Sequence, residues 1–231
     1  MTKLRPVTLV IVDASPLFTL AVIDRLDLLQ AFGRPIYVTD VVQKECLRYP
    51  DRPRTDRLRD WFSESGSNQR HVIETAIGPA YDRALEMERD GISNATADLG
   101  EWSMTWVMNN LSALVRRLNL TPDEHIGLIL VDDNDYATSG GRHGQLPKNT
   151  HFLSTRAFFI ALAELDVISS ETDLREAIKA AGRTRVSKAI FDIPHKEGGI
   201  PSNYISGMKA TVSDPFDLPK TAPTPGKDPE A

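Results

Sequence analysis

The sequence predicts an α/β fold, a largely parallel sheet with helices on both faces. Three observations carry this reading. The runs VTLVIV (7–12) and IGLILV (126–131) are short, continuous and rich in β-branched residues, the signature of strands buried on both faces. Longer amphipathic stretches alternate with such runs, which is the order that produces parallel strands joined by helices. A chain of 231 residues, 41% hydrophobic and 26% charged, can bury one sizeable core of this kind.

The elements follow in order. VTLVIV is the first strand. SPLFTLAVIDRLDLLQAFG reads as one helix, with Ser15 placed to cap it, Pro16 at its first position and Gly33 to stop it. PIYVTD is a second strand, VVQKECLRYP a helix ended by Pro50, TDRLRDWFSES another helix, and RHVIET a third strand. After Gly78 and Pro79, AYDRALEMERDG is helical, and TADLGEWSMTWVMNNLSALVRRLNL is the longest helical pattern. IGLILVDD is a strand, NDYATSG a short helix or turn, and GRHGQLPKN a polar loop. THFLST is a brief strand, RAFFIALAELDVIS an apolar helix, and SETDLREAIKAAG a last helix with Ser170 or Thr172 as its cap. One domain over 1–182 is expected, and 183–231, rich in Pro, Gly, Ser and Lys, is expected to be an extended or disordered tail.

Composition narrows the function. The net charge of −5 argues against a protein that coats nucleic acid by bulk electrostatics, though not against a nuclease that concentrates acids around divalent ions. The single cysteine, Cys46, excludes an internal disulfide and a cysteine metal cluster. The first apolar run is too short for a signal peptide and nothing approaches a membrane span, so a cytoplasmic protein without a membrane partner is expected. Arg48, Arg52, Arg54, Arg57 and Arg59 crowd into RYPDRPRTDRLR, either as an exposed helix start with mixed-sign pairs or as a phosphate-contacting rim. His125, His143 and His151 share no metal-ligand spacing and read as ordinary polar residues. SGGRHG lacks the ending of a phosphate-binding loop, but Arg142, His143 and Lys148 there could meet phosphates.

Two strands finish on carboxylates, at Asp13 and at Asp132 with Asp133. In parallel sheets ligands bind beyond the carboxyl ends of strands, where strand order reverses. Glu45 follows the second strand, Asp98 and Glu101 share one face at a helix start, and Asp135 lies just beyond the pair. Clustered carboxylates resist joint ionisation unless a cation compensates, and Mg²⁺ and Mn²⁺ prefer such oxygen ligands. A pair of these ions can activate a water and steady the leaving oxygen in phosphodiester hydrolysis. Each acid also has an ordinary reading: Asp13 and Asp98 as helix caps, Glu45 as a solvated helix acid, Glu101 as a first-turn acid, and Asp132, Asp133 and Asp135 as a polar turn.

IVDASPLFTLA, VTDVVQKEC, ADLGEWSMTWVMNN, LILVDDNDYATS and FLSTRAFFIALAELDVIS resemble, in that order, the segments of PIN-domain nucleases, over about residues 7–169. The likeness is to the bacterial branch with a DxGE segment, related to the toxins of VapBC-type toxin–antitoxin pairs. It implies a three-layer α/β/α sandwich around a mainly parallel sheet, with a pocket of acids binding Mg²⁺ or Mn²⁺ for cleavage of single-stranded RNA. It places Asp13, Glu45, Asp98 and either Asp132 or Asp133 at the metal and in catalysis. Glu101 and Asp135 are further metal candidates, the resemblance implies Ser15 as a supporting hydroxyl, and Arg142 and Lys148, in the polar loop, are expected substrate contacts. It adds RNA, a small antitoxin and a second copy of the chain as partners. The tryptophans depart from the family pattern; Trp102 and Trp106, spaced i,i+4, suit a core or partner groove, or base stacking. Two other readings compete: a non-catalytic PIN-fold binding or scaffold module, and a phosphatase or phosphotransferase, for which DAS lacks the second aspartate of a DxD nucleophile.

Overall fold

β1 (Val7–Val12) occupies the centre of the sheet, and its composition explains why: Leu9, Val10, Ile11 and Val12 are all fully buried. The structure, a computed structural model, describes residues 7–32, 35–63, 70–117, 126–132, 146 and 150–180. β2 (Ile36–Thr39) and then β3 (Arg70–Ile73) lie on one side of β1; β4 (Ile126–Leu130) and then β5 (Thr150–Leu153) lie on the other. All four pairings are parallel, and helices cover both sides of the sheet, giving the expected α/β sandwich. Strand order therefore reverses between β1 and β4, where Val12 pairs with Leu130.

The helices are α1 (Ala14–Val22), α2 (Asp40–Leu47), α3 (Thr55–Ser63), α4 (Gly78–Arg89), α5 (Leu99–Asn109), α6 (Leu111–Arg117), α7 (Thr155–Glu164) and α8 (Glu171–Ala180). A 3-10 helix, Leu26–Phe32, follows α1. Three expectations change. The first helix is interrupted at Asp24, which turns left-handed (φ 57°), a conformation that aspartate tolerates better than most residues, and which Arg57 holds at 3.4 Å. Its cap is Asp13, so Pro16 falls in the first turn, where a missing N–H costs nothing. The longest pattern breaks at Asn110, whose side-chain amide donates to the Trp106 carbonyl at 2.8 Å in competition with the helix.

The core runs continuously across the sheet. Phe32 stacks on Phe158 of α7 with ring centroids 4.8 Å apart, tying the 3-10 helix to the far side of the chain. Met108 of α5 lies so close to Gly127 of β4 that a side chain there would collide with it. NDYATSG, most of the 139–149 loop and the tail lie outside the described residues; Leu146 packs against the core.

Candidate active site at the carboxyl edge of the sheet

Asp13 emerges where strand order reverses. Its backbone stays extended (φ −77°, ψ 166°) and its N–H donates to the Leu130 carbonyl at 2.9 Å, so the β1–β4 ladder carries it to the edge. Its carboxylate accepts from the Ser15 N–H at 3.4 Å. The helix N-terminus thus favours a negative charge at this place. Ser15 itself is half-buried, and its carbonyl accepts from Thr19 Oγ1.

Glu45 reaches the same edge from α2, which starts directly after β2 because Thr39 Oγ1 accepts from the Val42 N–H. The Thr39 hydroxyl also bonds Ser103 of α5 at 2.6 Å, in the interior, fixing α2 against α5. The Glu45 carboxylate lies on the first turn of α5, where Gly100 donates its backbone N–H. A Cβ on Gly100 would stand 2.8 Å from Glu45 Oε2. Burial, then the charges of Asp13 and Glu101, push the Glu45 pKa up to about 7, against opposing pulls from the Gly100 N–H and Arg48. One oxygen of Glu101 is sealed from solvent. Asp13, Glu45 and Glu101, from three separate elements, therefore form one electrostatic group.

The two remaining candidate acids among the described residues, Asp98 and Asp132, stand at element ends. Asp98 stands at the start of α5, exposed and left-handed (φ 63°), without a side-chain capping bond to the helix. Asp132 is 8% exposed; one of its oxygens accepts from the Thr155 N–H and the other from Thr155 Oγ1, both at 2.9 Å. It joins the end of β4 to the start of α7. Asp133, Asp135, Arg142, His143, Lys148 and His125 lie outside the described residues. His151 on β5 is half-buried, and burial lowers its pKa. In the arginine cluster, Arg48 pairs with Glu88, Arg57 with Asp24, and Arg52 lies 4.0 Å over the Phe18 ring, so much of that charge is spent within the fold. Trp106 packs partly buried against the core and Trp102 is half-buried beside it in sequence.

Two functional features escape a sequence reading. Gly100 had a signal, since glycine in a helix costs about 1 kcal/mol relative to alanine and so wants a reason; the reason is the Glu45 carboxylate. Glu88 had none. It accepts from the Thr96 N–H at 2.9 Å, from Thr96 Oγ1 at 2.6 Å and from Arg48, and so joins α4 to α2 and to the turn that leads into α5. These bonds from Thr96 and Arg48 hold its pKa down to about 2. A carboxylate with a lowered folded-state pKa stabilises the fold above its ordinary pKa of about 4.5 and loses that contribution as pH falls toward 2. Glu88→Gln should therefore melt below the parent at neutral pH, and the gap should close between about pH 4.5 and 2. A gap unchanged across that range in thermal melts would refute the clamp.

Residues 9–87, from β1 through most of α4, match a family model described as a PIN domain. Over this stretch, about a third of the chain, the sequence is similar to PIN domains. The match takes in Asp13 and Glu45 and ends before Asp98, Glu101 and Asp132. Comparison with curated proteins and with solved structures gives no match. PIN domains are generally nucleases, and PIN nucleases generally use divalent metals. Among the described residues no three His, Cys, Asp or Glu converge into a ready metal site. The donor chemistry nevertheless fits a hard divalent cation: the group is all carboxylate, partly buried, and repels itself strongly enough to shift Glu45. No helix among the described residues is long and apolar enough to cross a membrane.

Proposed function

We propose that this chain is a PIN-type, metal-dependent endoribonuclease that hydrolyses single-stranded RNA at the edge where Asp13, Glu45 and Glu101 meet. The observation that carries the reading is a Glu45 carboxylate opposed by burial and then by the charges of Asp13 and Glu101, at the switch point of a parallel sheet, an arrangement with no benefit to stability. Asp13, Glu45 and Glu101 would hold Mg²⁺ or Mn²⁺, with Asp98 at the rim. Asp133 is assigned as the fourth acid in preference to Asp132, whose two oxygens are already bonded to Thr155. The bound cation supplies a water of lowered pKa and neutralises charge on the phosphate. Asp13 fixes the position of the site through its ladder bond and Ser15; Glu45 is oriented by Gly100; Arg48, which pulls on Glu45, favours its ionised form. Asp135 is proposed to help position a second ion or the attacking water, and Arg142 and Lys148 to contact the substrate.

The narrower reading is the toxin of a toxin–antitoxin pair, acting as a homodimer and silenced by a small antitoxin whose basic side chain would meet the acids. A mixed-sequence single-stranded RNA should be cut by the parent in Mn²⁺, but neither by the parent with chelator nor by Asp13→Asn. Equal cutting in all three would mean that the activity is not this protein's, and no cutting by a folded, metal-binding parent would favour the scaffold reading.

A further inference from the structure

A cavity of about 680 Å³ opens between the end of α2, the end of α4 and the 91–96 turn, within the size range of small-molecule sites. Its lining includes Lys44, Arg48, Tyr49, Arg89, Ile92 and Asn94. Arg48 and Tyr49 follow Glu45 by three and four residues, so the cavity begins about one helical turn from the acid edge. We infer that it is a subsite for one nucleotide of single-stranded RNA next to the scissile phosphate, with the base on Tyr49 and the backbone on Arg89; this rests on the ribonuclease reading above.

The walls explain the choice of ligand. Tyr49 is 53% exposed, unusual for an aromatic residue, and the Arg48 guanidinium lies 5.0 Å from its ring centroid. With a cation on one side, the ring can take a base on the other, as aromatic platforms do in single-strand binding. Three cations line the cavity against one carboxylate, Glu88, and that carboxylate is already engaged by Arg48 and Thr96. Lys44 is engaged in turn by Asp82, so the cation the cavity offers to a phosphate is the exposed Arg89. The Lys44–Asp82 contacts, at 2.6 and 2.8 Å, fix the α2 wall of the cavity in place. Ile92, 50% exposed, and the Asn94 amide supply the apolar and hydrogen-bonding contacts that a base edge uses. A protein partner would use Tyr49 and Ile92 too, but it has no need of the cations beside them.

The substitutions leave the framework intact. The Thr55 hydroxyl bonds the Tyr49 backbone carbonyl at 3.0 Å, a contact that every side chain at 49 retains, and Arg89 is exposed. In the full chain carrying Asp13→Asn, with Mg²⁺, a fluorescein-labelled single-stranded RNA should bind about tenfold more weakly with Tyr49→Ala, and within about twofold of its parent with Tyr49→Trp. Arg89→Ala should lower the slope of log Kd against log salt by about 0.7. Cleavage by the unaltered chain is assayed separately in Mn²⁺. Unchanged binding in the Tyr49 and Arg89 variants beside a parent that cuts would overturn the subsite and leave the nuclease standing. Weakened binding beside a parent that never cuts would uphold the subsite for RNA and remove the nuclease. Absence of RNA binding, together with a loss of self-association on Tyr49→Ala in sedimentation, would overturn the subsite in favour of a contact between protein chains.

Discussion

Glu45→Gln should melt higher than the parent above pH 7 while cutting no RNA. The reason is the cost of holding an ionised carboxylate where burial, Asp13 and Glu101 all oppose its charge. Between its ordinary pKa of about 4.5 and its folded-state value of about 7, the folded chain keeps a proton that the unfolded chain has released. Stability therefore falls as pH rises through that window and stays low above it. The full shift corresponds to at most about 3 kcal/mol. Glutamine keeps the shape and a carbonyl acceptor for the Gly100 N–H but has no charge to desolvate. The difference in Tm should be near zero at pH 4 and largest above pH 7, at about 2–4 °C for each kcal/mol recovered. Adding Mn²⁺ should reverse the order, raising the parent's Tm by mass action and leaving Glu45→Gln nearly unmoved. A variant that melts lower than the parent at every pH, with or without Mn²⁺, would show that Glu45 is a structural acid and that the cluster is not a cation site.

The same contrast shows what the sequence could and could not reveal. The strands were legible because a fully buried parallel strand has no polar face: VTLVIV and IGLILV announce themselves by composition alone. Their adjacency follows from strand order, and with it the place of Asp13 at the switch point. The interruptions at Asp24 and Asn110 were harder, because a left-handed aspartate or an asparagine bonding back to Trp106 leaves the apolar period almost intact on either side. In the site, residue type indicated acids but not which acids face one another. Glu101 bears on Glu45 by its charge, while Asp98 stands exposed at the start of the helix. Periodicity places Asp98 and Glu101 on the same side; the left-handed start of α5 at Asp98 is a tertiary outcome. Gly100 and Glu88 matter through partners 55 and 8 residues away in the chain, at Glu45 and Thr96, and no local pattern encodes such pairs.

Asp132→Ala should be among the more destabilising single substitutions in the domain, by on the order of 3 kcal/mol, because it removes two buried hydrogen bonds and leaves the Thr155 donors without their acceptor. At 8% exposure the carboxylate's place is largely closed to bulk water. The damage spreads because the contact is a junction: β4 ends at Leu130, the Val131 N–H donates to the Leu153 carbonyl at 3.0 Å, and Asp132 then grips the residue that opens α7. The aromatic residues Phe158 and Phe159, fully buried in the core, ride on that helix. Loss of about 3 kcal/mol predicts a fall in Tm of about 6–12 °C. Thr155→Val should reproduce part of it, and the double variant should fall short of the sum, since both residues belong to one interaction. Asp133→Asn, by contrast, should leave the melting curve unchanged and abolish cleavage if Asp133 is the fourth acid as assigned. The decisive comparison is between the two neighbours: a stable, inactive Asp132→Ala beside an active Asp133→Asn would exchange their roles and place Asp132 at the cation.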